Sequence, residues 1–286
     1  MVDDGSRSLR VDVDAVLRKK AGNIYPYIPG FIISYLKRVV HQDEINRILP
    51  GMSGYEGLPF IEKALIGELG IEIEVVDPEL IPGKGRYVVV SNHPLGGLDG
   101  MALMHVIGKN RPDLQFISND ILLELSPLAS LFAPVNKHGR NNKEAVALLD
   151  SLYASEMVVL VFPAGLVSRR QKGIIADLEW KKSFVTKAVQ HKRDIVPVYI
   201  QGRNSDFFYN LANWRKRLRV KTNIEMLYLA DELFKQRNNR IVIQFGKPIP
   251  YQTITRDFSH HAWAQKIKSH VYRIPQGELS FQNYKD

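Results

Sequence analysis

The sequence predicts an α/β fold, in which a mixed, largely parallel sheet is flanked by helices and follows an N-terminal helical arm. Continuous apolar runs, which are typical of strands buried on both faces, occur at residues 87–91, 157–162 and 195–200. Segments with helical periodicity stand between these runs. Because strands that alternate with helices pair mostly in parallel, the pattern favours one sheet covered on both faces.

The first 70 residues are predicted to be helical, and we expect this arm, residues 1–70, to precede an α/β domain at residues 71–286. The arm contains a short polar helix at residues 12–20 and an apolar helix with a basic edge at residues 31–40. Tyrosine, lysine and arginine beside an apolar face suit a helix that lies in a membrane interface. A helix packed on the protein's own core fits the same pattern, so both interpretations stay open.

The remaining elements follow from local patterns. Another amphipathic helix is predicted at residues 56–70, and an alternating strand with one wet face follows at residues 71–76. The other predicted helices lie at residues 101–108, 141–154, 180–190 and 263–272. The other predicted strands lie at residues 114–118, 224–228 and 240–245.

Composition limits the possible functions. The chain has 286 residues, of which 45% are apolar, so it can bury a sizeable core. It contains no cysteine, which excludes disulfides, thiol nucleophiles and cysteine-ligated zinc. Residues 1–5 lack the features of a signal peptide, and no apolar stretch approaches the ~18 residues that span a bilayer. We therefore expect a cytoplasmic protein that is peripheral on the inner face of the cell membrane.

The net charge of +9 and the pI of about 9.5 suit an anionic partner. The densest group of cations lies at residues 214–221. This group fits the solvated end of a helix, and it also fits a contact with lipid headgroups. Because no nucleic-acid fold signature accompanies it, we expect an anionic membrane surface and no nucleic acid among the partners.

The strand predicted at residues 87–91 leads into a turn with the sequence Ser-Asn-His-Pro-Leu-Gly-Gly-Leu-Asp-Gly. Ligands collect at the carboxyl ends of parallel strands, and His93 and Asp99 stand at such an end. An imidazole can take a proton near neutral pH, and a nearby carboxylate can orient it. A histidine at a turn is often structural, and Asp99 also fits the cap of the next helix, but the glycine-rich setting favours a catalytic pair.

Three more segments carry polar groups from a strand into a loop. The strand predicted at residues 157–162 ends in Phe-Pro-Ala-Gly, and three cations follow within residues 169–172. Residues 133–141 deliver Lys137 and Arg140, and a Val-Pro-Val-Tyr segment lies at residues 196–199. Backbone amides beside arginine suit a phosphate or a carboxylate, so these loops are candidate binding segments.

Taken in chain order, the four segments resemble the blocks of the glycerolipid and lysophospholipid acyltransferase superfamily. That family has a His-x4-Asp block after asparagine, a block that ends in arginine, a Phe-Pro-Glu-Gly block with serine and arginine, and a Val-Pro block. The match covers residues 85–205. The longer motif His-Pro-x-Gly-Gly-x-Asp-Gly, together with Asp-Leu-Glu-Trp at residues 177–180, is similar to the haemolysin-like branch of this superfamily. That branch is associated with acylation of lyso-ornithine or lyso-glycine lipids. The resemblance implies a glycerolipid acyltransferase-like fold and an O-acyltransferase.

The resemblance also implies roles for single residues. His93 would be the general base, oriented by Asp99, that deprotonates a hydroxyl of a lyso-lipid for attack on the thioester of acyl carrier protein or coenzyme A. No tightly bound cofactor and no metal are expected. Backbone amides near Gly96, Gly97 or Gly165 are candidates to stabilise the oxyanion, and Asn92 also fits a role in fixing the turn. The predicted substrate-binding residues are Asn92, Gly96, Gly97, Lys137, Arg140, Phe162, Pro163, Gly165, Ser168 and Arg169.

The chain departs from the family pattern at three points. Five residues, rather than four, separate His93 from Asp99, so helical spacing alone does not bring them together. Lys137 stands where arginine is usual, which keeps the charge but not the two-pronged hydrogen bond. Ala164 stands where the family has glutamate. In glycerol-3-phosphate-type enzymes that glutamate helps to bind the acceptor, so its absence favours a lyso-aminolipid over lysophosphatidate.

Other functions fit the sequence less well. A 1-acylglycerol-3-phosphate acyltransferase of phospholipid synthesis is the alternative within the same superfamily. A non-catalytic, membrane-associated lipid-binding module is the alternative of another class, although binding alone needs no base such as His93. A serine hydrolase needs Gly-x-Ser-x-Gly at a strand-to-helix turn, and residues 51–54 lack that spacing.

Overall fold

The N-terminal part of the protein is helical. The computed structural model describes residues 10–118, 126–134 and 143–282. Its first helices are α1 (Val13–Ala21), α2 (Gly30–Val39), α3 (Gln42–Ile48) and α4 (Gly57–Glu62), and α4 continues into a π-helical segment, Lys63–Glu68. Asp12 caps α1, because its carboxylate accepts a hydrogen bond from the Ala15 amide at 3.1 Å. The predicted helices of this part therefore form close to their predicted bounds.

A mixed, largely parallel sheet forms the centre of the protein. The strands of the described residues are β1 (Glu72–Val76), β2 (Tyr87–Ser91), β3 (Leu114–Ser118), β4 (Phe132–Pro134), β5 (Val158–Val161), β6 (Arg169–Gln171), β7 (Ile174–Ala176), β8 (Asp194–Gln201) and β9 (Arg240–Phe245). Seven of them form one sheet in the order β1-β9-β8-β2-β5-β3-β4. Only β8 and β9 pair antiparallel in that sheet, whereas β6 and β7 form a separate antiparallel hairpin. The predicted fold class is confirmed.

Helices cover both faces of the sheet. The helices after β2 are α5 (Gly97–Gly108), α6 (Lys143–Ala154), α7 (Ser183–Gln190), α8 (Asp206–Arg217), α9 (Leu229–Lys235) and α10 (His260–Val271). In β2, Val89 packs into a core shared with α4 and α5, whereas Val88 and Val90 pack into a core shared with α6, α7 and α10. The strand is buried on both faces, which explains its uninterrupted apolar sequence.

One predicted strand does not form. Residues 224–228 form a 3-10 helix, Ile224–Tyr228, that packs on α8, and α9 follows directly. This segment does not join the sheet because Glu225 is fully buried and forms ion pairs with Arg169 at 2.9 Å and with Arg215 at 2.8 Å. These two arginines hold the segment against α8 as a turn rather than as a strand of the sheet.

A buried arginine fastens the end of α6 to the sheet. Arg193 is fully buried, and desolvation lowers its pKa to about 10. Because the last carbonyls of a helix lack partners within the helix, a donor placed there satisfies groups that burial would leave unpaired. The guanidinium of Arg193 donates to the carbonyl oxygens of Tyr87, Leu152, Tyr153, Ser155 and Met157.

Candidate active site

The candidate site lies where β2 ends and the chain turns into α5. Asn92 is buried in this turn: its Nδ2 donates to the Ile200 carbonyl at 2.8 Å, and the Ile200 amide donates to its Oδ1 at 2.7 Å. The side chain thereby continues the pairing of β2 with β8 past the end of the strand. Asn92 therefore fixes the turn. Its amide is hydrogen-bonded to the Ile200 backbone, and its predicted substrate contact stays a prediction.

The extra residue of the turn does not separate the predicted pair. Gly96 has a φ of +84°, and a Cβ at this position would stand 3.1 Å from the Leu229 side chain, so the turn requires glycine. α5 begins directly afterwards at Gly97, rather than at residue 101 as predicted. Asp99 consequently lies in the first turn of the helix, where its Oδ2 is 3.0 Å from Nδ1 of His93.

Asp99 both caps α5 and faces the histidine. Its carboxylate is fully buried, and Oδ2 accepts hydrogen bonds from the Leu95 amide at 2.7 Å and the Gly96 amide at 3.0 Å. Burial raises the pKa of Asp99 above its usual value, and the hydrogen bonds from His93 and the two amides oppose part of that rise. When the carboxylate accepts the proton of Nδ1, the Nε2 atom of His93 is left as the basic nitrogen. The two interpretations of Asp99 are thus compatible in one geometry.

Aromatic packing restricts the orientation of the His93 ring. The rings of His93 and Phe162 are stacked, with centroids 4.1 Å apart and an angle of 16° between their planes. Phe162 is held in turn by an edge-to-face contact with Phe116 at 5.2 Å. The side chain of His93 keeps 16% of its surface exposed, whereas that of Asp99 is fully buried. Solvent therefore reaches the side chain of His93 but not that of Asp99.

The backbone of the histidine is held by a second carboxylate. Oδ1 of Asp177 accepts hydrogen bonds from the His93 amide at 3.1 Å and from Oγ of Ser168 at 2.6 Å, and Oδ2 accepts from Nε1 of Trp180 at 2.9 Å. The Ser168 amide donates to the His93 carbonyl at 2.7 Å. Ser168, predicted to bind substrate, therefore contacts His93 and Asp177. Sequence reasoning gave Asp177 no role, and the only signal was its place in the Asp-Leu-Glu-Trp segment.

The Phe-Pro-Ala-Gly segment forms a tight turn beside His93. The Gly165 amide donates to the Phe162 carbonyl at 3.0 Å, and the Pro163 carbonyl accepts from the Lys181 amide at 3.0 Å. Gly165 has a φ of +66°, which favours glycine. The Ala164 side chain is buried in the core with α7 and α10. Phe162 thus lies against the catalytic candidate, whereas substrate contacts of Pro163 and Gly165 stay predictions.

Arg169 is bound by groups of the protein itself, and its predicted substrate contact stays a prediction. Arg169 is buried, with its Nη2 paired to Glu225 and its Nη1 donating to the Val167 carbonyl at 2.6 Å. The cause is the alternation of β6, which turns Arg169 inward and leaves its neighbour Arg170 half-buried beside Asp206. Lys137 and Arg140, the other predicted cationic contacts, lie outside the described residues.

One candidate oxyanion donor keeps its hydrogen available. The amides of Gly96 and Gly165 donate to Asp99 and to the Phe162 carbonyl, respectively. The amide of Gly97, the first residue of α5, has no hydrogen-bond partner in the described part of the chain. The partial positive charge of a helix N-terminus adds to such a donor. The turn therefore combines a base, its carboxylate and a free amide.

Comparison with known proteins identifies the family. A sequence profile described as Acyltransferase matches residues 15–274, which is most of the chain. The protein therefore belongs to the acyltransferase family and is an acyltransferase enzyme, as its four segments predicted.

Two curated relatives are both named lyso-glycine lipid O-acyltransferase. The Bacteroides thetaiotaomicron protein is 48% identical over 265 residues, which cover 92% of this chain and 97% of the relative. The Phocaeicola vulgatus protein is 46% identical over 265 residues, which cover 92% of this chain and 95% of the relative. Both support the resemblance to the glycine-lipid branch of the glycerolipid acyltransferase superfamily.

A solved structure also aligns over most of the chain. It is PlsC, the 1-acyl-sn-glycerophosphate acyltransferase from Thermotoga maritima, with a TM-score of 0.48 and 16% identity. The alignment covers 92% of this chain and 93% of that chain.

Proposed function

We propose that this protein transfers a fatty acyl group from a thioester to a hydroxyl of a lyso-aminolipid, with His93 as the general base. The observation that carries the proposal is the 3.0 Å contact of Nδ1 of His93 with Asp99 at the carboxyl end of β2. Lyso-glycine lipid, which the names of both curated relatives contain, belongs to this acceptor class.

The reaction follows from the geometry of the pair. Nε2 of His93 takes the proton of the acceptor hydroxyl, and the oxygen attacks the thioester carbonyl. The negative charge that develops on the carbonyl oxygen is stabilised by the Gly97 amide at the N-terminus of α5. The carbon–sulfur bond then breaks, and the departing thiolate receives the proton from His93. Asp99 stabilises the imidazolium between these two proton transfers.

The environment of Ala164 supports an aminolipid acceptor. Its methyl group packs in an apolar core, so this position offers no hydrogen-bonding group to a glycerophosphate. The family's glutamate would supply such a group. Lysophosphatidate is therefore the less favoured acceptor of the two.

The donor and the location belong to the same proposal. Acyl carrier protein or coenzyme A presents the thioester, and the acceptor comes from the inner face of the cell membrane. Of the residues of α2, only Val39 is buried, while Phe31 keeps 74% of its surface exposed, which favours the interfacial interpretation of this helix over packing on the core. No helix among the described residues has the length and apolarity to cross a bilayer. The exposed face of α2 supports a peripheral location, which we place on the cytoplasmic side as part of the proposal.

Acyl transfer by purified variants tests the proposal. We expect His93→Ala to lower the turnover of a lyso-glycine lipid about 10²- to 10⁴-fold with the fold intact, because it removes the base. His261→Ala is the matched control, since His261 lies at the surface beside Glu179. Near wild-type turnover by His93→Ala would refute the mechanism. A strong preference for lysophosphatidate over the lyso-glycine lipid would refute the acceptor class.

A further inference from the structure

One face of α8 leaves large apolar side chains in solvent. Trp214 and Leu218 each expose 64% of their surface, and Phe207 exposes 48%, although Phe208 and Tyr209 on the opposite face are fully buried. Soluble proteins rarely expose a contiguous apolar surface of this kind without a partner. The exposed face borders a groove of about 590 Å³, whose lining includes Phe207, Trp214, Arg215 and Leu218.

This surface is continuous with the exposed face of α2. The ring of Phe207 meets the ring of Tyr228 edge-on at 4.9 Å, and the Tyr228 hydroxyl is 2.8 Å from the hydroxyl of Tyr35 on α2. Phe31 lies on the same helix and is also exposed. Segments that are 193 residues apart in sequence thus build one surface. We call it the α2–α8 face, formed by Phe31, Ile32 and Tyr35 of α2, by Tyr228, and by Phe207, Trp214 and Leu218 of the α8 region.

Cations surround the α8 part of this face. Lys216, Arg217, Arg219 and Lys221 are exposed, and none forms an ion pair with a carboxylate of the described residues. Arg215 differs, because it is held by Glu225. Exposed aromatic and aliphatic side chains next to unpaired cations match the surface of an anionic bilayer, which offers both phosphates and acyl chains. An acidic protein would also match the cations, but the continuity of this surface with the exposed side chains of α2 favours the bilayer.

The α2–α8 face lies against the turn between β2 and α5 that carries His93. Leu229, which follows Tyr228, packs against Gly96 of that turn, as its 3.1 Å distance from a Cβ on the glycine indicates. Glu225 also links Arg215 at the rim of the groove to Arg169, the neighbour of Ser168. A bilayer on this face would therefore lie beside the turn that carries His93.

We propose that the α2–α8 face docks on an anionic bilayer, with α8 as a second contact that acts together with α2. This inference rests on the proposed function only for the purpose of docking, which is to bring the lipid acceptor to His93. Docking itself requires neither an acyl donor nor an acceptor, so it can be measured separately from catalysis.

Sedimentation of the full chain with vesicles tests the docking. We expect Trp214→Ser with Leu218→Ser to lower binding to phosphatidylglycerol-containing vesicles about tenfold, because the variant removes apolar side chains that enter the interface. Lys216→Glu with Arg217→Glu should lower binding to the same extent, and only when the vesicles are anionic. Leu148→Ser on α6, which removes another exposed leucine, should bind as the wild type does.

Activity separates this inference from the proposed function. The α8 variants should keep wild-type turnover of a short-chain, water-soluble acceptor and lose turnover of the vesicle-embedded acceptor. Vesicle binding of Trp214→Ser with Leu218→Ser equal to the wild type would refute α8 as a contact. Unchanged vesicle binding by the charge-reversed variant, with slower reaction of acyl carrier protein thioesters, would assign the cations to an acidic protein and also refute it. A wild type that binds vesicles but transfers no acyl group would overturn the proposed function alone.

Discussion

A buried histidine outside the active site makes the fold sensitive to acid. His270 on α10 is fully buried, and neither of its ring nitrogens has a hydrogen-bond partner among the described residues. Desolvation lowers the pKa of His270 from 6.5 to about 4, with the nearby charges of Glu278 and Arg273 as smaller contributions of opposite sign. Its ring meets Phe281 edge-on at 5.4 Å. Protonation therefore opposes the packing of α10.

The loss of stability in acid follows from the difference between the pKa values of His270 in the unfolded and the folded protein. The unfolded chain takes up this proton near pH 6.5, whereas the folded protein takes it up only near pH 4. Protonation of His270 therefore costs almost no stability well above pH 6.5, and the free energy of unfolding falls as the pH drops from 6.5 towards 4. The gap corresponds to about 3 kcal/mol in total, of which about 2 kcal/mol is already lost at pH 5.

Urea denaturation of the wild type and of His270→Leu between pH 8 and pH 5 measures this loss. We expect the free energy of unfolding of the variant to fall by about 2 kcal/mol less than that of the wild type over this range. The other titrating groups are common to both proteins, so they cancel in the difference. Leucine also removes two unpartnered nitrogens, which should stabilise the variant by about 1–3 kcal/mol at pH 8. Parallel pH curves for the two proteins would refute the reasoning.

Two further predictions concern the buried polar network. Arg193→Met should lower the free energy of unfolding by about 3–5 kcal/mol, because buried carbonyls lose their donor; urea denaturation measures this, and a change below about 1 kcal/mol would contradict it. Asp177→Asn should lower kcat about 10- to 100-fold with little change in KM, because an amide nitrogen replaces one of the acceptors that face His93, Ser168 and Trp180. Steady-state kinetics on a lyso-glycine lipid measure the latter, and an unchanged kcat would show that the Asp177 carboxylate does not position the proposed base.

The sheet was predictable because its strands carry local signals. β2 and β3 have their predicted bounds. The Tyr-Val-Val-Val run of β2 is typical of a strand buried on both faces, and β3 carries Leu, Phe and Ile, which also favour a strand. Residues 224–228 carry a similar apolar signal but form a 3-10 helix. The decisive contact of that segment is the burial of Glu225 with Arg169, 56 residues away in sequence. No local pattern contains such a partner.

The site was predictable only in part for the same reason. His93 and Asp99 stand close together in sequence, and a glycine turn between them is a visible signal. Asp177 acts on His93 across 84 residues, so its role depends on the packing of the hairpin and α10. The burial of Arg169 could not be predicted, because a three-residue strand gives too short a pattern to tell which of two neighbouring arginines faces inward.

Residues at the end of α10 connect the acid-sensitive His270 to the candidate active site. The Asp177 amide donates to the Tyr272 hydroxyl at 2.8 Å, and Nζ of Lys268 donates to the Asp177 carbonyl at 2.7 Å. Both groups flank His270 in sequence, so loss of α10 packing would release the carboxylate that holds the His93 backbone. The proposed general base must also be unprotonated to act, so this role predicts a separate loss of activity in acid. His270→Leu separates the two causes, because the variant keeps His93 and removes the buried histidine. An acid limb of kcat that persists unchanged in this variant is assigned to the proposed pair of His93 and Asp99, and the part that disappears is assigned to α10.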